Sequence, residues 1–187
     1  MKISLKLAFG LAVLAGTSAV VGIAAIDRYR ARAVSAHLLT ADIAVTEQLH
    51  LDGLGSVQAQ GFNTIIDLRP DGEAPDQPAA DEVRRAASRS GLFFAYVPVP
   101  HGEIPPATVD ALAQALNGTP RPVLLYCRTG RRAARTWALV EAKRRGGMEA
   151  RAIERAVENA GQSASDLDDM INADVATRQR QAQAGSR

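Results

Sequence analysis

Short apolar runs alternate with amphipathic segments along residues 43–145. The apolar runs are four to seven residues long and rich in β-branched or aromatic residues, as buried strands are; they span 43–46, 63–68, 93–99 and 124–127. The segments between and after them carry helix signals, such as proline at a start or glycine just past an end; they span 51–60, 79–90, 107–116 and 131–145. This alternation predicts an α/β fold with a mostly parallel central sheet flanked by helices.

The remainder of the chain has a different composition at each end. After the glycine pair 146–147, two further amphipathic helices are predicted, over 148–159 and 165–176. We therefore expect one domain over residues 42–177, preceded by a basic, alanine-rich spacer and followed by a disordered tail. The spacer spans 27–41 and the tail spans 178–187.

The N-terminal segment is apolar enough to interact with a membrane. Residues 7–26 carry no charge and are long enough to cross a bilayer as one helix, and the arginines that follow favour a single-pass anchor. A cleaved signal peptide is the alternative, because residues 17–19 and 22–24 both resemble small-residue cleavage sites. The side of the membrane that the domain faces is left open by nearly balanced flanking charges.

Composition excludes several function classes. The 187 residues, 47% of them hydrophobic, suffice for one core of ordinary size. A net charge of +2 and basic clusters without interleaved aromatic residues argue against a nucleic-acid partner. A single cysteine excludes an intramolecular disulfide and a multi-cysteine zinc site, and the three histidines lack metal-ligand spacing. We therefore expect no metal and no cofactor.

The segment VLLYCRTGRRA, residues 123–133, carries the most chemistry. An apolar strand leads into Cys127, and Gly130 and three arginines follow before a helix begins. A thiol beside arginines and a helix N-terminus forms a cradle for an anion, and the same surroundings favour the thiolate. A lone cysteine at a strand end is most often core filler. Three arginines would be costly there unless they face solvent or an anion, so we favour the functional interpretation.

The chain resembles the beta-lactamase-hydrolase-like phosphatase domain, a bacterial branch related to dual-specificity protein phosphatases. The resemblance lies in the Cys-x4-Arg loop from Cys127 to Arg132, in residues 43–78 with the turn RPDGE, and in residues 91–112. It implies a cysteine-phosphatase-like fold and phosphate monoester hydrolysis through a thiophosphoryl-cysteine intermediate. With the apolar N-terminus, it indicates a protein of the bacterial cell membrane whose phosphorylated substrate is of unknown type.

The resemblance also implies roles for individual residues. The Cys127 thiolate would attack phosphorus while Arg132 binds two of its oxygens. The substrate-binding loop would comprise Arg128, Thr129, Gly130 and Arg131. Related phosphatases place an Asp general acid on the loop after the strand that ends here near residues 98–100; no Asp stands there, and Glu103 and His101 are the candidates.

Two departures from the family pattern keep alternatives open. Ala133 stands where a hydroxyl commonly assists the leaving thiolate, and Arg131 replaces a small residue. The loop is one residue shorter than the usual Cys-x5-Arg, which favours a rhodanese-like sulfurtransferase that carries a persulfide on Cys127. The missing hydroxyl and the missing Asp instead favour a pseudophosphatase that binds phosphorylated partners without turnover.

Overall fold

The computed structural model describes residues 34–185, in which five strands form one sheet with helices on both faces. The strands are β1 (His37–Leu38), β2 (Ile43–Thr46), β3 (Thr64–Asp67), β4 (Phe93–Tyr96) and β5 (Val123–Tyr126). Their order across the sheet is β1-β2-β5-β3-β4. The pairings β2–β5, β5–β3 and β3–β4 are parallel, whereas β1 pairs antiparallel with β2. The predicted α/β class is thus confirmed, with one antiparallel edge strand that makes the sheet mixed.

Six α-helices lie in the described part of the chain. They are α1 (Leu54–Ala59), α2 (Ala80–Arg89), α3 (Pro106–Gly118), α4 (Arg131–Lys143), α5 (Ala150–Asn159) and α6 (Asp168–Ala184). Short 3₁₀ turns precede α1 and α6, at Leu51–Gly53 and Ser165–Leu167. Each predicted helix from residue 51 onward has a counterpart within a few residues of its expected ends, except that the last helix continues eight residues past its expected end at 176.

Both faces of the sheet are buried, which explains why its strands are almost continuously apolar. In β5, Val123 and Leu125 point to the core layer formed with α3, α4, α5 and α6. Leu124 and Tyr126 point to the opposite layer, formed with α1 and α2. Each such large apolar side chain stabilises the fold by about 1.5–3 kcal/mol. Trp137 of α4 lies buried in the first layer.

The structure differs from the expected domain limits at both ends. β1 lies within the stretch that we assigned to the spacer over 27–41, because residues 37 and 38 add an edge to the sheet. α6 continues through the stretch expected to be a tail from 178, because the buried Arg178 caps the carboxyl end of α4.

The predicted membrane segment, residues 7–26, lies outside the described residues. Within 34–185, each helix is too short or too polar to span a bilayer.

Candidate active site

The carboxyl ends of the parallel strands meet at one edge of the sheet, where ligands bind in open α/β folds. Cys127 follows β5 directly, and the neighbouring strand β3 ends at Asp67. A cavity of about 720 Å³ opens at this edge. Its lining comprises Pro100, His101, Gly102, Glu103, Cys127, Arg128, Thr129, Arg131, Arg132, Arg135, Asp166 and Leu167. The cavity thus collects loops that are far apart in the sequence.

The backbone N–H groups of the loop after Cys127 have no acceptor within the described residues. The carbonyl of Arg128 accepts a hydrogen bond from the Gln48 N–H at 3.3 Å, and the carbonyl of Thr129 accepts one from the Gln162 side chain at 3.3 Å. Because C=O and N–H point oppositely across a trans peptide, the following amides face away from these partners. Among the described residues, none accepts from the backbone N–H groups of 128–133. They are therefore available to an anion.

Gly130 makes the turn into α4 possible. Its φ is +84°, a left-handed conformation that side chains rarely adopt, and it is the N-cap of the helix. A Cβ on this residue would lie 3.0 Å from Nε2 of Gln162 and 3.4 Å from the carbonyl oxygen of Thr46. The helix begins at Arg131, so its positive N-terminal end faces the same space as the loop amides.

Cys127 lies at the base of this cradle. It is only 1% exposed and packs with the first core layer, yet it also lines the cavity. It is a free thiol, and its position between a buried strand and the loop amides leaves one open direction of approach, from the cavity. The sequence interpretation of Cys127 as mere core filler therefore accounts for only part of its environment.

Arg132 is buried and donates three hydrogen bonds. Its Nη1 donates to the Glu73 carboxylate at 2.7 Å and to the Val99 carbonyl at 2.6 Å. Its Nη2 donates to the other oxygen of Glu73 at 3.1 Å and lies 3.3 Å from Nε2 of His101. Three of the four Nη protons thus have protein acceptors, and the fourth faces His101. A bound oxyanion would use Nε and would compete for an Nη proton, most readily the one facing the exposed His101.

Glu73 is the centre of this charge network. Its carboxylate also accepts from Nε of Arg69 at 3.1 Å, and Nε2 of His101 lies 3.2 Å from it. Arg69 in turn donates to the Gln48 side chain at 2.7 Å. Burial favours the neutral form of Glu73, but the hydrogen bonds from Arg132 and Arg69 outweigh it and lower its pKa. Glu73 is therefore a carboxylate that positions Arg132 rather than a proton donor.

The two candidate proton donors are on the loop after β4. His101 and Glu103 are both exposed and both line the cavity, flanking Gly102, which has a φ of +88°. His101 is tied to Arg132 and Glu73 as described above. Glu103 makes no hydrogen bond or ion pair with any described residue, so its carboxyl group is available to a ligand.

A second arginine cluster lies at the mouth of the cavity. Arg131 and Arg135, one helical turn apart on α4, both contact the Asp166 carboxylate, at 3.1 and 2.5 Å. Asp166 belongs to the 3₁₀ turn before α6, so the C-terminal helices contribute directly to the rim. The rim is more basic than the loop sequence alone indicates, because Arg135 joins it from the next turn of the helix.

Asp67 lies beneath the site as an unusual buried carboxyl. It is 1% exposed, and burial raises its pKa from 3.8 to about 6 against the opposing effect of the Tyr126 hydroxyl and the Arg69 amide. Oδ1 accepts a hydrogen bond from that amide at 2.8 Å. Burial likewise raises the pKa of Tyr126. Asp67 shapes the turn that carries Arg69 toward Glu73.

The structure brings the predicted site residues together, with one qualification. Those lining the cavity are His101, Glu103, Cys127, Arg128, Thr129, Arg131 and Arg132; Gly130 instead forms the turn behind it. Their catalytic and binding roles stay predictions. Sequence reasoning missed Glu73, Arg135, Asp166 and Gln162. The RPDGE turn was visible as a motif, but nothing in its spacing indicated that its glutamate reaches Arg132.

Within 34–185, no group of three acidic, histidine or cysteine side chains could hold a metal ion.

Comparison with known proteins agrees with this arrangement. The family described as "Beta-lactamase hydrolase-like protein, phosphatase-like domain" matches residues 35–144, more than half of the chain. A beta-lactamase hydrolase-like protein of Xylella fastidiosa is 38% identical over 99 residues, which cover 53% of this chain and 23% of that protein. The chain thus matches less than a quarter of the length of this curated relative.

Solved structures share the fold. A candidate phosphatase from Neisseria meningitidis has a TM-score of 0.65 and 26% identity, over 76% of this chain and 98% of that chain. Tk-PTP in its active form has a TM-score of 0.55 and 18% identity, over 77% of this chain and 97% of that chain. The second similarity establishes the fold alone. The sheet and its flanking helices thus share the fold of these two proteins.

Proposed function

The chain belongs to the family of beta-lactamase hydrolase-like phosphatase-like domains, and we propose that it is a cysteine-dependent phosphatase acting on phosphate monoesters. The observation that carries the proposal is the joint position of Cys127 and Arg132 at one cavity, with the unpaired loop amides between them. A thiolate, a guanidinium and a ring of amides are the groups that phosphoryl transfer from an ester to sulfur requires.

The proposed reaction has two steps. The Cys127 thiolate attacks phosphorus, so that an S–P bond forms and the P–O bond to the leaving group breaks. Glu103 or His101 gives a proton to the departing oxygen. Water then attacks phosphorus, the S–P bond breaks, and inorganic phosphate leaves while the thiolate is restored. Arg132 and the loop amides stabilise the charge on the phosphoryl oxygens in both steps.

The lack of an Asp on the acid loop affects the range of leaving groups. Proton donation contributes about 10²–10⁴-fold where the leaving group is a poor one. We therefore expect aryl phosphates to be hydrolysed tolerably and simple alkyl phosphates slowly. Between the candidates, Glu103→Gln should reduce alkyl phosphate hydrolysis more than aryl phosphate hydrolysis if Glu103 is the acid, and His101→Asn should do so if His101 is.

The direct test is p-nitrophenyl phosphate hydrolysis by the 187-residue chain, compared with its Cys127→Ser variant. We expect turnover in the parent and loss of at least about 10³-fold in the variant, because serine is a far weaker nucleophile at neutral pH. A matched control is Ser90→Ala, which alters a hydroxyl at the end of α2, outside the cavity lining. Equal activity in the parent and in Cys127→Ser would refute the proposal.

A sulfurtransferase is the second candidate, favoured by two specific observations. The Cys-x4-Arg loop is short, and three of the four Nη protons of Arg132 are already bound by protein groups. In this reaction the Cys127 thiolate would take the outer sulfur of thiosulfate, releasing sulfite, and pass it to cyanide as thiocyanate. Cys127-dependent thiocyanate formation without phosphate release from any ester would establish this candidate in place of the phosphatase.

A membrane anchor formed by residues 7–26 is part of the same proposal, supported by the uncharged run of the sequence. The test is alkaline extraction of membranes from cells that express the chain. The full-length chain should stay in the pellet, and Leu14→Arg should release it, since a central arginine costs about 2.5–3.5 kcal/mol of insertion. A chain found shortened to a start near residue 20 or 25 would instead identify a cleaved signal peptide.

A further inference from the structure

The mouth of the cavity is lined by arginines that lie outside the loop cradle proper. Arg128, Arg131 and Arg135 all line it, in addition to Arg132. The carboxylates that line the same space are Glu103 and Asp166. A cavity of about 720 Å³ is far larger than a phosphate group. The volume beside these arginines is therefore available to another part of the substrate.

The donors of this rim are only partly used. Asp166 takes one bond from Nη2 of Arg131 and one from Nη2 of Arg135. Nε of Arg135 is buried and has no acceptor among the described residues, although the side chain is only 13% exposed. The Arg128 side chain has no hydrogen bond or ion pair within the described residues. The Arg128 guanidinium and the remaining N–H groups of Arg131, both exposed, are therefore available to a ligand.

The geometry of α4 sets the distance between the phosphate position at Arg132 and a second anion position at Arg135. Arg132 and Arg135 are three residues apart, so their side chains leave the same helix face about 5–6 Å from one another. A phosphoryl group bound at Arg132 and the loop amides would place a neighbouring anionic group against Arg135 and Arg131. The distance suits two anionic groups on adjacent carbon atoms of a small molecule.

The remaining wall of the cavity argues against a flat aromatic substrate. No phenylalanine, tyrosine or tryptophan is among its lining residues in the described chain, so no ring is available to stack on an aryl leaving group. Leu167 and Pro100 are the larger apolar residues of the lining. The surroundings instead suit a polar, hydroxylated or carboxylated carbon skeleton.

We infer that the site is built for a small phosphate monoester with a second anionic group, phosphate or carboxylate, on a neighbouring carbon. This inference rests on the proposed phosphatase function and names its substrate class. Arg131 and Arg135 form the second anion subsite, and Arg128 contributes from the loop. Asp166 pairs with both α4 arginines and keeps them at the mouth of the cavity.

The kinetic test compares two substrates that differ in one charge. 2-Phosphoglycerate has a carboxylate beside the phosphorylated carbon, and glycerol 2-phosphate has a neutral hydroxymethyl group there. At one fixed ionic strength, kcat/KM should be at least about tenfold higher for 2-phosphoglycerate, a factor that corresponds to one charge-assisted hydrogen bond.

Arg131→Gln should reduce the ratio of the two kcat/KM values about tenfold. Arg85→Gln, an exposed arginine of α2 outside the cavity lining, should not change it. A ratio near one in the parent, or a ratio unchanged by Arg131→Gln, would overturn the inference.

A binding measurement separates this inference from the function on which it rests. Calorimetry with the Cys127→Ser variant, its folding verified by melting temperature, measures affinity for 2,3-bisphosphoglycerate and for inorganic phosphate. The bisphosphate should bind at least about tenfold more tightly, and Arg131→Gln should remove most of that difference. Equal affinities would reject the second subsite even where aryl phosphate is hydrolysed. A marked preference in a chain that hydrolyses no ester would keep the subsite and reject the phosphatase.

Discussion

At the scale of residues, the clearest feature of the site is that Glu73 holds two arginines at once. Its carboxylate accepts from Arg132 and from Arg69, and both guanidinium groups are nearly buried. An arginine that binds phosphate through a fixed fork must be held in one rotamer before the substrate arrives. Glu73 supplies that restraint from a loop more than fifty residues earlier in the chain.

Substituting Glu73 tests this positioning role. In Glu73→Gln we expect the free energy of unfolding to fall by about 2–4 kcal/mol, because two buried guanidinium groups lose their counter-charge. We also expect kcat/KM for p-nitrophenyl phosphate to fall at least about tenfold at temperatures where the variant is folded. Denaturant unfolding and steady-state kinetics measure the two effects separately.

Glu158→Gln is the matched control, an exposed glutamate of α5. It should leave both quantities within error of the parent. Unchanged kinetics in folded Glu73→Gln would mean that Arg132 needs no carboxylate to be positioned. Where Glu73→Gln does lower kcat/KM, Glu73→Asp should lower it less, because it keeps the carboxylate.

Asp67 gives a pH-dependent prediction. Because its folded pKa is about 6 rather than 3.8, the folded state keeps a proton that the unfolded state releases between these values. The contribution of Asp67 to stability is therefore fully present below pH 3.8 and is lost as pH rises through 6. Asn at this position cannot ionise. The stability of Asp67→Asn relative to the parent should rise by about 2–3 kcal/mol between pH 4 and pH 7.

Urea unfolding of both proteins at several pH values measures this difference. The comparison cancels the titration of all other groups, and Asp110→Asn, an exposed aspartate of α3, serves as the control with a flat difference. A difference for Asp67→Asn that stays constant with pH would show that the carboxyl is not held neutral by burial.

The sequence predicted the contiguous part of the site, and the family resemblance added His101 and Glu103 from one further loop. Cys127, Arg132 and the loop between them are adjacent in sequence, so their chemistry can be read from one segment. Glu73, Asp166 and Gln162 reach the site from three other loops. Their side chains are ordinary surface types in sequence terms, and only the folded sheet brings them to the loop.

At the scale of elements, the start of α4 depends on Gly130. Gly130→Ala would put a Cβ in a left-handed conformation and within 3.0 Å of the Gln162 side chain. We expect a loss of about 1–2 kcal/mol of stability and a lower kcat/KM, because the loop amides would turn from the cavity.

Gly55→Ala is the control for that substitution. Gly55 lies in α1 with no atom near the added Cβ and no positive φ. Alanine should therefore be neutral or stabilise this helix by up to about 1 kcal/mol. If Gly130→Ala matched Gly55→Ala in both stability and activity, the left-handed turn would not be needed for the cradle.

The far end of α4 depends on one buried arginine. Arg178 of α6 donates to the carbonyls of Glu141, Ala142 and Arg144, and also to that of Met148. These are among the carbonyl groups that the end of a helix leaves without partners. Arg178→Met should lower the free energy of unfolding by about 3 kcal/mol.

The value of kcat/KM should distinguish Arg178→Met from the variants in the active site. The thirteen residues of α4 place its two ends about 20 Å apart, so folded Arg178→Met should keep the parent kcat/KM. Arg180→Met, which changes an exposed arginine of the same helix, should change neither quantity. If Arg178→Met were as stable as Arg180→Met, the hydrogen bonds from Arg178 would make no net contribution to the free energy of unfolding.

Strands that are buried on both faces are predicted well from the sequence, whereas the edge strand and the end of α6 are not. The inner strands β2, β3 and β5 are buried on both faces, which leaves a continuous apolar run. The edge strand β1 has only two residues, both exposed, and its pairing with β2 leaves no such run. α6 continues past residue 177 through polar residues because Arg178 satisfies the end of another helix, a contact that has no local signal.

At the scale of the whole molecule, the sheet separates a structural layer from a functional one. The helices α1 and α2 cover one face, while α3 to α6 cover the other and supply both the cradle and its rim. The family pattern predicts the sheet and the loop after Cys127. It does not predict the rim made by Asp166, which lies beyond the stretch of residues 35–144 that the family matches.

The proposed two-step hydrolysis requires a covalent bond between the Cys127 sulfur and phosphorus. Rapid mixing of the 187-residue chain with p-nitrophenyl phosphate, an acid quench within milliseconds and mass spectrometry of the peptides would detect it. We predict that the peptide containing Cys127 gains the mass of one phosphoryl group in step with the first equivalent of p-nitrophenol released. Cys127→Ser should show neither the adduct nor the burst. Release of p-nitrophenol with Cys127 unmodified at every quench time would contradict the account.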